Sequence, residues 1–568
     1  MPRPFQFRVV CWGFSAVLLL TACPTVFAVQ TTAPVSSEAG PEEARFRKRG
    51  KGLEPPERVM PPIEDQAPPY LQPPFGPETR KFFVKQIVVE GNVLIPEEDL
   101  KRLVSPYEGR ELPLADLRRL AGELTQWLRG HEYVTSRVYI PPQEITDGLV
   151  KVQVLEGRIG EIRIEGAKYS RPETLTGRMR TKPGGLLRYT VLQRDLAALA
   201  ANPDRRIMAV LVPGKTTGTT DVVIRLEESR PWHGGYFLHT MGTKLTGRFR
   251  QGAIIGHRNL TGHDDQLVIR SEFSERSDFF GIAANYLIPL GATGGTLGVN
   301  FGRADIELNR HFRHTNIIGN ATVLGVDWAQ PIFQTQHWET EWVSGFDAKR
   351  VRSQELGVDQ GKDDLRILRL GPNVMEQDAW GRSIVTTEVG IGFSQFLGAS
   401  HKKDSAASRT QSGGQFTRVN LSAGRLQHLP WGFQLLVRGA TQLTNDRLSP
   451  AETGPLGGED TVRGYPEGEF LADYGYVGTM ELRLPIPVRV AEHNTMLTVV
   501  GFADGGAGFL RKPVMGERSK ARLIGLGFGG RYAVSPYTNV LMDVGFPVGN
   551  GSSAGDNPRL YVAFNIGW

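Results

Sequence analysis

"LYVAFNIGW", residues 560–568, carries the alternation that decides how the whole C-terminal half of this chain is read. Leu560, Val562, Phe564, Ile566 and Trp568 fall on one face of an extended strand, and Tyr561, Ala563, Asn565 and Gly567 on the other. One face is apolar and one small or polar, the pattern of a strand standing between lipid and a watery lumen. A soluble β-sandwich also alternates, but it does not usually need hundreds of residues in one sheet. From here back to residue 229 there is no helical period of any length. Stretches of about ten residues with period-two alternation are broken by Gly, Asn, Asp and Pro. Long polar connections, such as "LGASHKKDSAASRTQSGGQ" (397–415) and the 445–472 region, contrast with tight ones such as "HLPWG" (428–432) and "SPYTN" (535–539). Long loops on one side and short turns on the other predict a transmembrane antiparallel β-barrel of about sixteen strands over 229–568.

Before it, residues 82–228 are globular and repeat. "QIVVEGNVLIPEEDL" (86–100) returns as "EIRIEGAKYSRPETL" (161–175), with Ile87, Glu90 and Gly91 matching Ile162, Glu165 and Gly166. Each copy has a strand ending in Gly, then Pro-Glu opening a helix. Leu117, Leu120, Leu124 and Leu128 form the apolar stripe of a second helix in one copy, and Leu192, Leu196 and Leu199 in the other. "SRVYIPPQEI" with "LVKVQVLEG", and "IMAVLVPG" with "TDVVIRLEES", close the copies as strand pairs. The order β-α-α-β-β, given twice, predicts two tandem α+β modules over 82–157 and 158–228.

The start, "MPRPFQFRVVCWGFSAVLLLTACPTVFAVQ", has the arginines, apolar run and small residues of a secretory signal peptide over 1–28. "VFA" favours cleavage after Ala28; "LTAC" offers the rival of a lipidated Cys23. Cys11 and Cys23 are the two cysteines of the chain, so either reading leaves no disulfide framework and no cysteine-ligated metal. Residues 29–81 are proline-rich and read as an extended linker, in which "PEEARFRKRGKG" (41–52) is a short basic helix or a basic tether. The net charge of +6 is spread, with no Lys/Arg run of the kind that binds nucleic acid.

No catalytic constellation has supporting context, and no cofactor is expected. "GLGFGG" (525–530) fits G-x-G-x-x-G but sits in an alternating strand without the helix whose N-terminus would hold phosphates. "GHRNLTGHDD" (256–265) gathers His257, His263, Asp264 and Asp265, but a third fixed metal ligand is not evident and the segment reads as a turn. "GGEDTVRGYPEG" (457–468) is different: glycines 457, 458 and 464 allow backbone into a confined space around a lone Arg463.

These residues resemble the outer-membrane transporters of two-partner secretion, of the haemolysin-activator and filamentous-haemagglutinin exporter type. "YVTSRVYIPPQEITDGLVKVQVLEGRI" (133–159) and "NPDRRIMAVLVPGKTTGTTDVVIRL" (202–226) look like the ends of that family's two polypeptide-transport-associated (POTRA) modules. "TVRGY" (461–465) is similar to its V-R-G-Y/F tetrad, "FADGG" (502–506) to its F-x-D-x-G motif, and Trp568 with Phe564 to the aromatic end read by the barrel-assembly machinery. "GHEYV" (130–134) departs from the family, which usually has Gly directly before the Tyr. The resemblance implies that the tetrad loop, with Val462, Gly464 and Tyr465, folds into the barrel from an extracellular connection between the eleventh and twelfth strands. Arg463 would then pair with Asp504 on a wall face shared by Phe502 and Gly506. It further implies periplasmic modules, an outer-membrane setting among lipids, and a secreted exoprotein partner exported unfolded without a nucleotide. The expected capture edge comprises the strands around Val138, Tyr139 and Ile140 and around Val152 and Val154. A barrel-assembly factor of the same superfamily is the alternative; a passive pore would not need the modules.

Overall fold

A strand with one apolar and one polar face can cross lipid only within a sheet that closes on itself, because an open edge would leave backbone groups unbonded. The computed structural model describes residues 61–65 and 81–568, except 244, 276–277, 309–316, 336, 491–492, 536–537, 550–551, 554 and 556. The readings made of the signal peptide, Cys23 and the basic segment 41–52 lie outside the described residues. From Trp232–His239 to Arg559–Gly567, sixteen antiparallel strands form one closed barrel, the number expected. In the strand Lys520–Ser535, Ile524, Leu526 and Phe528 are exposed on the outside while Leu523 is buried within. The last strand behaves likewise: Leu560, Ile566 and Trp568 are exposed and Tyr561 is buried.

The wall is uneven in height. Trp232–His239 and Arg250–His257 have 8 residues each, whereas Ile318–Gln334, Trp338–Glu355 and Val358–Asp378 have 17, 18 and 21. A crossing takes about 9–11 residues, so the longer strands rise well past the apolar band. Short turns gather at one end, and the connections 393–415, 445–473 and 510–519 at the other.

Two α+β units precede the barrel, and their sheets share one plan. In the first, Gln86–Glu90 pairs in parallel with Leu149–Leu155, which pairs antiparallel with Arg137–Tyr139. In the second, Arg158–Glu165 pairs in parallel with Thr219–Glu228, which pairs antiparallel with Arg205–Pro213. The helix Leu114–Gly130 buries Leu117, Leu120, Leu124 and Leu128 against the first sheet, and Tyr189–Leu199 buries Leu192, Leu196 and Leu199 against the second.

This sheet order corrects the expected capture edge. Val152 and Val154 belong to the central strand of the first sheet, paired on both sides and with buried side chains, because the parallel partner arrives from more than sixty residues upstream. Val138 and Tyr139 do lie on an outer strand, with Ile140 just past its end. Yet the Val138 amide donates to Thr125 Oγ1 (2.9 Å), so the helix already covers that edge. The added strand appears elsewhere: linker residues Ile63–Asp65 pair in parallel with Ala209, Val210 and Leu211 of the second unit.

Candidate functional site

The connection 445–473 follows the eleventh barrel strand, Gln434–Thr444, and turns inward. Its base is a two-stranded ribbon, Gly454–Leu456 with Phe470–Ala472. Leu456, Val462, Tyr465 and Phe470 form a buried apolar cluster with Ala440, Val477, Ala521 and Leu523 of the wall. Removal of these side chains from water drives the loop inward; its shape comes from short bonds. Gly457 donates to Thr461 Oγ1 (2.8 Å), Gly458 to the Val462 carbonyl (3.2 Å) and Glu459 to Glu467 Oε1 (2.8 Å). Gly464 has φ +100°, and a Cβ there would lie 2.7 Å from the backbone of Phe546, so no other residue fits. The "GLGFGG" stretch finds its reason here: a side chain at Gly525 would overlap the Arg463 carbonyl.

Arg463 ends in a socket of wall side chains with its own side chain 1% exposed. Nε donates to Asp504 Oδ2 (2.7 Å) and Nη2 to Asp504 Oδ1 (2.9 Å), a fork on a carboxylate. Its backbone amide also donates to Asp504 (3.1 Å). Nη1 reaches Asp543 Oδ2 (3.0 Å) and Glu481 Oε1 (2.7 Å). Phe502 lies beneath, its ring centroid 3.4 Å from Cζ. Gly506 lies on the same strand against Leu456, where a Cβ would crowd that side chain. Tyr561 clasps the neighbouring backbone, accepting from Gly464 N (3.1 Å) and donating to the Tyr465 carbonyl (2.7 Å).

Glu481, Asp543 and Tyr561 were not singled out in the sequence. The trace they leave is faint: one acid in "TMELRLP" and one in "VLMDVGF", each at an inward position of an apolar strand. Each is shared with a second arginine. Arg483 holds Glu481 (Nε–Oε2 2.8 Å), and Arg531 holds Asp543 (Nη2–Oδ2 2.8 Å).

Two further ionic groups fix the ends of the barrel. At the loop end, Arg409 meets Asp473 (2.7 Å), Arg447 meets Glu517 (3.1 Å), and Lys349 and Arg418 converge on Glu452. At the turn end, Asp264, in the segment weighed above for metal, accepts from Arg205 Nη2 (2.7 Å), Arg178 and Asn202 (2.9 Å), all of the second unit. Burial alone would raise the Asp264 carboxyl, but Arg205 and Arg178 outweigh it and hold it below the usual range. Glu228 joins the same group. Burial is opposed there by the Ser170 hydroxyl and by the amides of Tyr169, Lys168 and Ser170, which bring the carboxyl down to about 2. Phe564 stands in the last strand, and Trp568 packs on Gly234 of the first, its amide donating to the Gly234 carbonyl (3.0 Å).

Comparison with known proteins agrees with this geometry. Residues 218–532 match the family model described as haemolysin secretion/activation protein ShlB/FhaC/HecB, and residues 82–157 match the POTRA domain of ShlB type. The heme/hemopexin transporter protein HuxB of Haemophilus influenzae is 24% identical over 497 residues, covering 84% of this chain and 85% of that one. The outer membrane transporter CdiB of Dickeya dadantii is 23% identical, covering 82% and 83%. The solved structure of CdiB from Escherichia coli shares the fold with a TM-score of 0.71 at 20% identity, covering 94% of this chain and 98% of that one.

Proposed function

The chain belongs to the haemolysin secretion/activation family ShlB/FhaC/HecB, outer-membrane transporters of two-partner secretion with periplasmic POTRA modules, and from that premise we propose that it captures one exoprotein in the periplasm and passes it unfolded through the barrel without a nucleotide. The observation that carries the reading is the tetrad loop, which occupies the lumen yet is held there by side-chain contacts that can be broken and remade. Folding of the exoprotein outside the cell supplies the drive. Residues 158–228 act as a second POTRA module, sharing the sheet plan of the first. Capture proceeds by strand addition to the POTRA sheets, in the way that Ile63–Asp65 adds to Arg205–Pro213.

Secretion of a candidate exoprotein, sought in the neighbouring reading frames, tests the reading. Cells with both proteins should release it, and a chain lacking 82–157 should still insert its barrel but release none. An epitope at Ser405, in a connection at the loop end, should label on intact cells. Release undiminished by the deletion would remove the first module from the mechanism, and labelling only after permeabilisation would reverse the topology.

A further inference from the structure

The wall beneath the tetrad loop is a preformed receptor for a planar cation, and we propose that, once Arg463 has withdrawn, it binds arginine side chains of the polypeptide in transit. The inference rests on the export reading. It starts from an unequal sharing of charge. Glu481, Asp504 and Asp543 all belong to barrel strands, as do Arg483 and Arg531. With Arg463 in place, three guanidinium groups form ion pairs with these three carboxylates, and Arg438 of the strand Gln434–Thr444 adds its charge near Glu481. When the loop leaves, Glu481 keeps Arg483 and Asp543 keeps Arg531. Among the described residues, Asp504 forms ion pairs with Arg463 alone. Withdrawal therefore leaves Asp504 without an ion-pair partner, at a position 3% exposed in the closed protein.

The chemistry of the vacated place selects its ligand. Asp504 offers two oxygens to a fork of N–H donors, and Phe502 offers a ring face on which a flat cation stacks. An ammonium could meet the charge but would neither span both oxygens nor lie flat on the ring, so guanidinium is preferred to lysine. The occupant seen here, Arg463 itself, is the guanidinium for which the place is shaped. A chain entering the lumen thus finds a momentary hold for its arginines, and the hold is cleared when Arg463 returns.

The test uses the full chain carrying Arg463→Ala in lipid nanodiscs, titrated with millimolar methylguanidinium against sodium at equal ionic strength. A saturable rise in barrel melting temperature is expected, absent from the unsubstituted protein and from Arg463→Ala with Asp504→Asn. Arg463→Gln, which keeps more of the side-chain volume, serves if the alanine variant fails to assemble. No saturable rise, or an equal rise without Asp504, overturns the proposal. A second arm stalls the exoprotein in the barrel and crosslinks it from a cysteine at Thr479, the cross-strand neighbour of Asp504. Crosslinks should concentrate at arginine-containing segments and disperse when those arginines become lysines; indifference to that exchange overturns the role in transit. Failure of any exoprotein to be secreted would sink the export reading while leaving the titration to stand.

Discussion

Replacing Arg463 and replacing Asp504 should not be equivalent, because the socket does not divide its charge evenly between them. Arg463→Ala leaves Asp504 buried under the loop with no cation. Losing one member of such a pair costs about 3–5 kcal/mol. Asp504→Asn leaves Arg463 with Asp543 and Glu481 and keeps an acceptor, so its cost is that of a charge-assisted bond, about 1.5–3 kcal/mol. Hydrogen exchange in nanodiscs reads both values at the amides of Arg463 and Gly464, which are bonded to Asp504 and Tyr561 of the wall only while the loop is in place. At 1.36 kcal/mol per decade, exchange should quicken by roughly two to four powers of ten for Arg463→Ala and one to two for Asp504→Asn. The double variant removes the stranded carboxylate as well and should exchange more slowly than Arg463→Ala alone. Equal single effects, or a double variant in which they add, would refute the charge assignment.

Gly464→Ala should loosen the loop even with Arg463 intact, since its φ of +100° and the 2.7 Å approach to Phe546 backbone strain any side chain there; the strain is about 1–3 kcal/mol, read by the same amides. Asp264→Asn should loosen the second unit from the barrel, because Arg205 and Arg178 lose their shared carboxylate; spin labels on unit and barrel, placed in a region free of native cysteine, should report a broadened distance distribution. Glu228 is depressed from 4.5 to about 2, so its stabilisation is fully present above pH 4.5 and is lost as pH falls toward 2. Protection of the Lys168, Tyr169 and Ser170 amides should be flat from neutrality to about pH 5 and decline below 4.5, and Glu228→Gln should remove that dependence.

What could be read from the sequence was whatever repeats along one strand or one helix. The alternation at 560–568 and the leucine stripes at 117–128 and 192–199 report which side is buried, and that information is local. Sheet order is not local. Both Arg137–Tyr139 and Leu149–Leu155 look like possible edges until Gln86–Glu90 is seen to pair with the second. The three-residue strand Ile63–Asp65 sits among prolines and has no period at all; it exists because Arg205–Pro213 offers it an edge. The socket shows the same division. Glu481, Asp504 and Asp543 come from three wall strands, and cross-strand register brings them around one guanidinium. A lone acid in an apolar strand announces a lumenal position, but nothing in its own segment names its partner.

The seam of the barrel has a consequence in time. Thr240, just past the first strand, is bonded to Val562 in the last, 322 positions later. At about 5–20 residues per second, the first strand is synthesised roughly a quarter of a minute to a minute before its neighbour exists. Until the last strand joins the first, the sheet has two raw edges, each able to template a strand from another molecule. A product truncated anywhere before Arg559–Gly567 keeps such edges permanently and cannot become a sealed wall. Closure is thus a checkpoint on completeness: only a chain translated through its last strand can present the membrane with a surface that has no open hydrogen bonds.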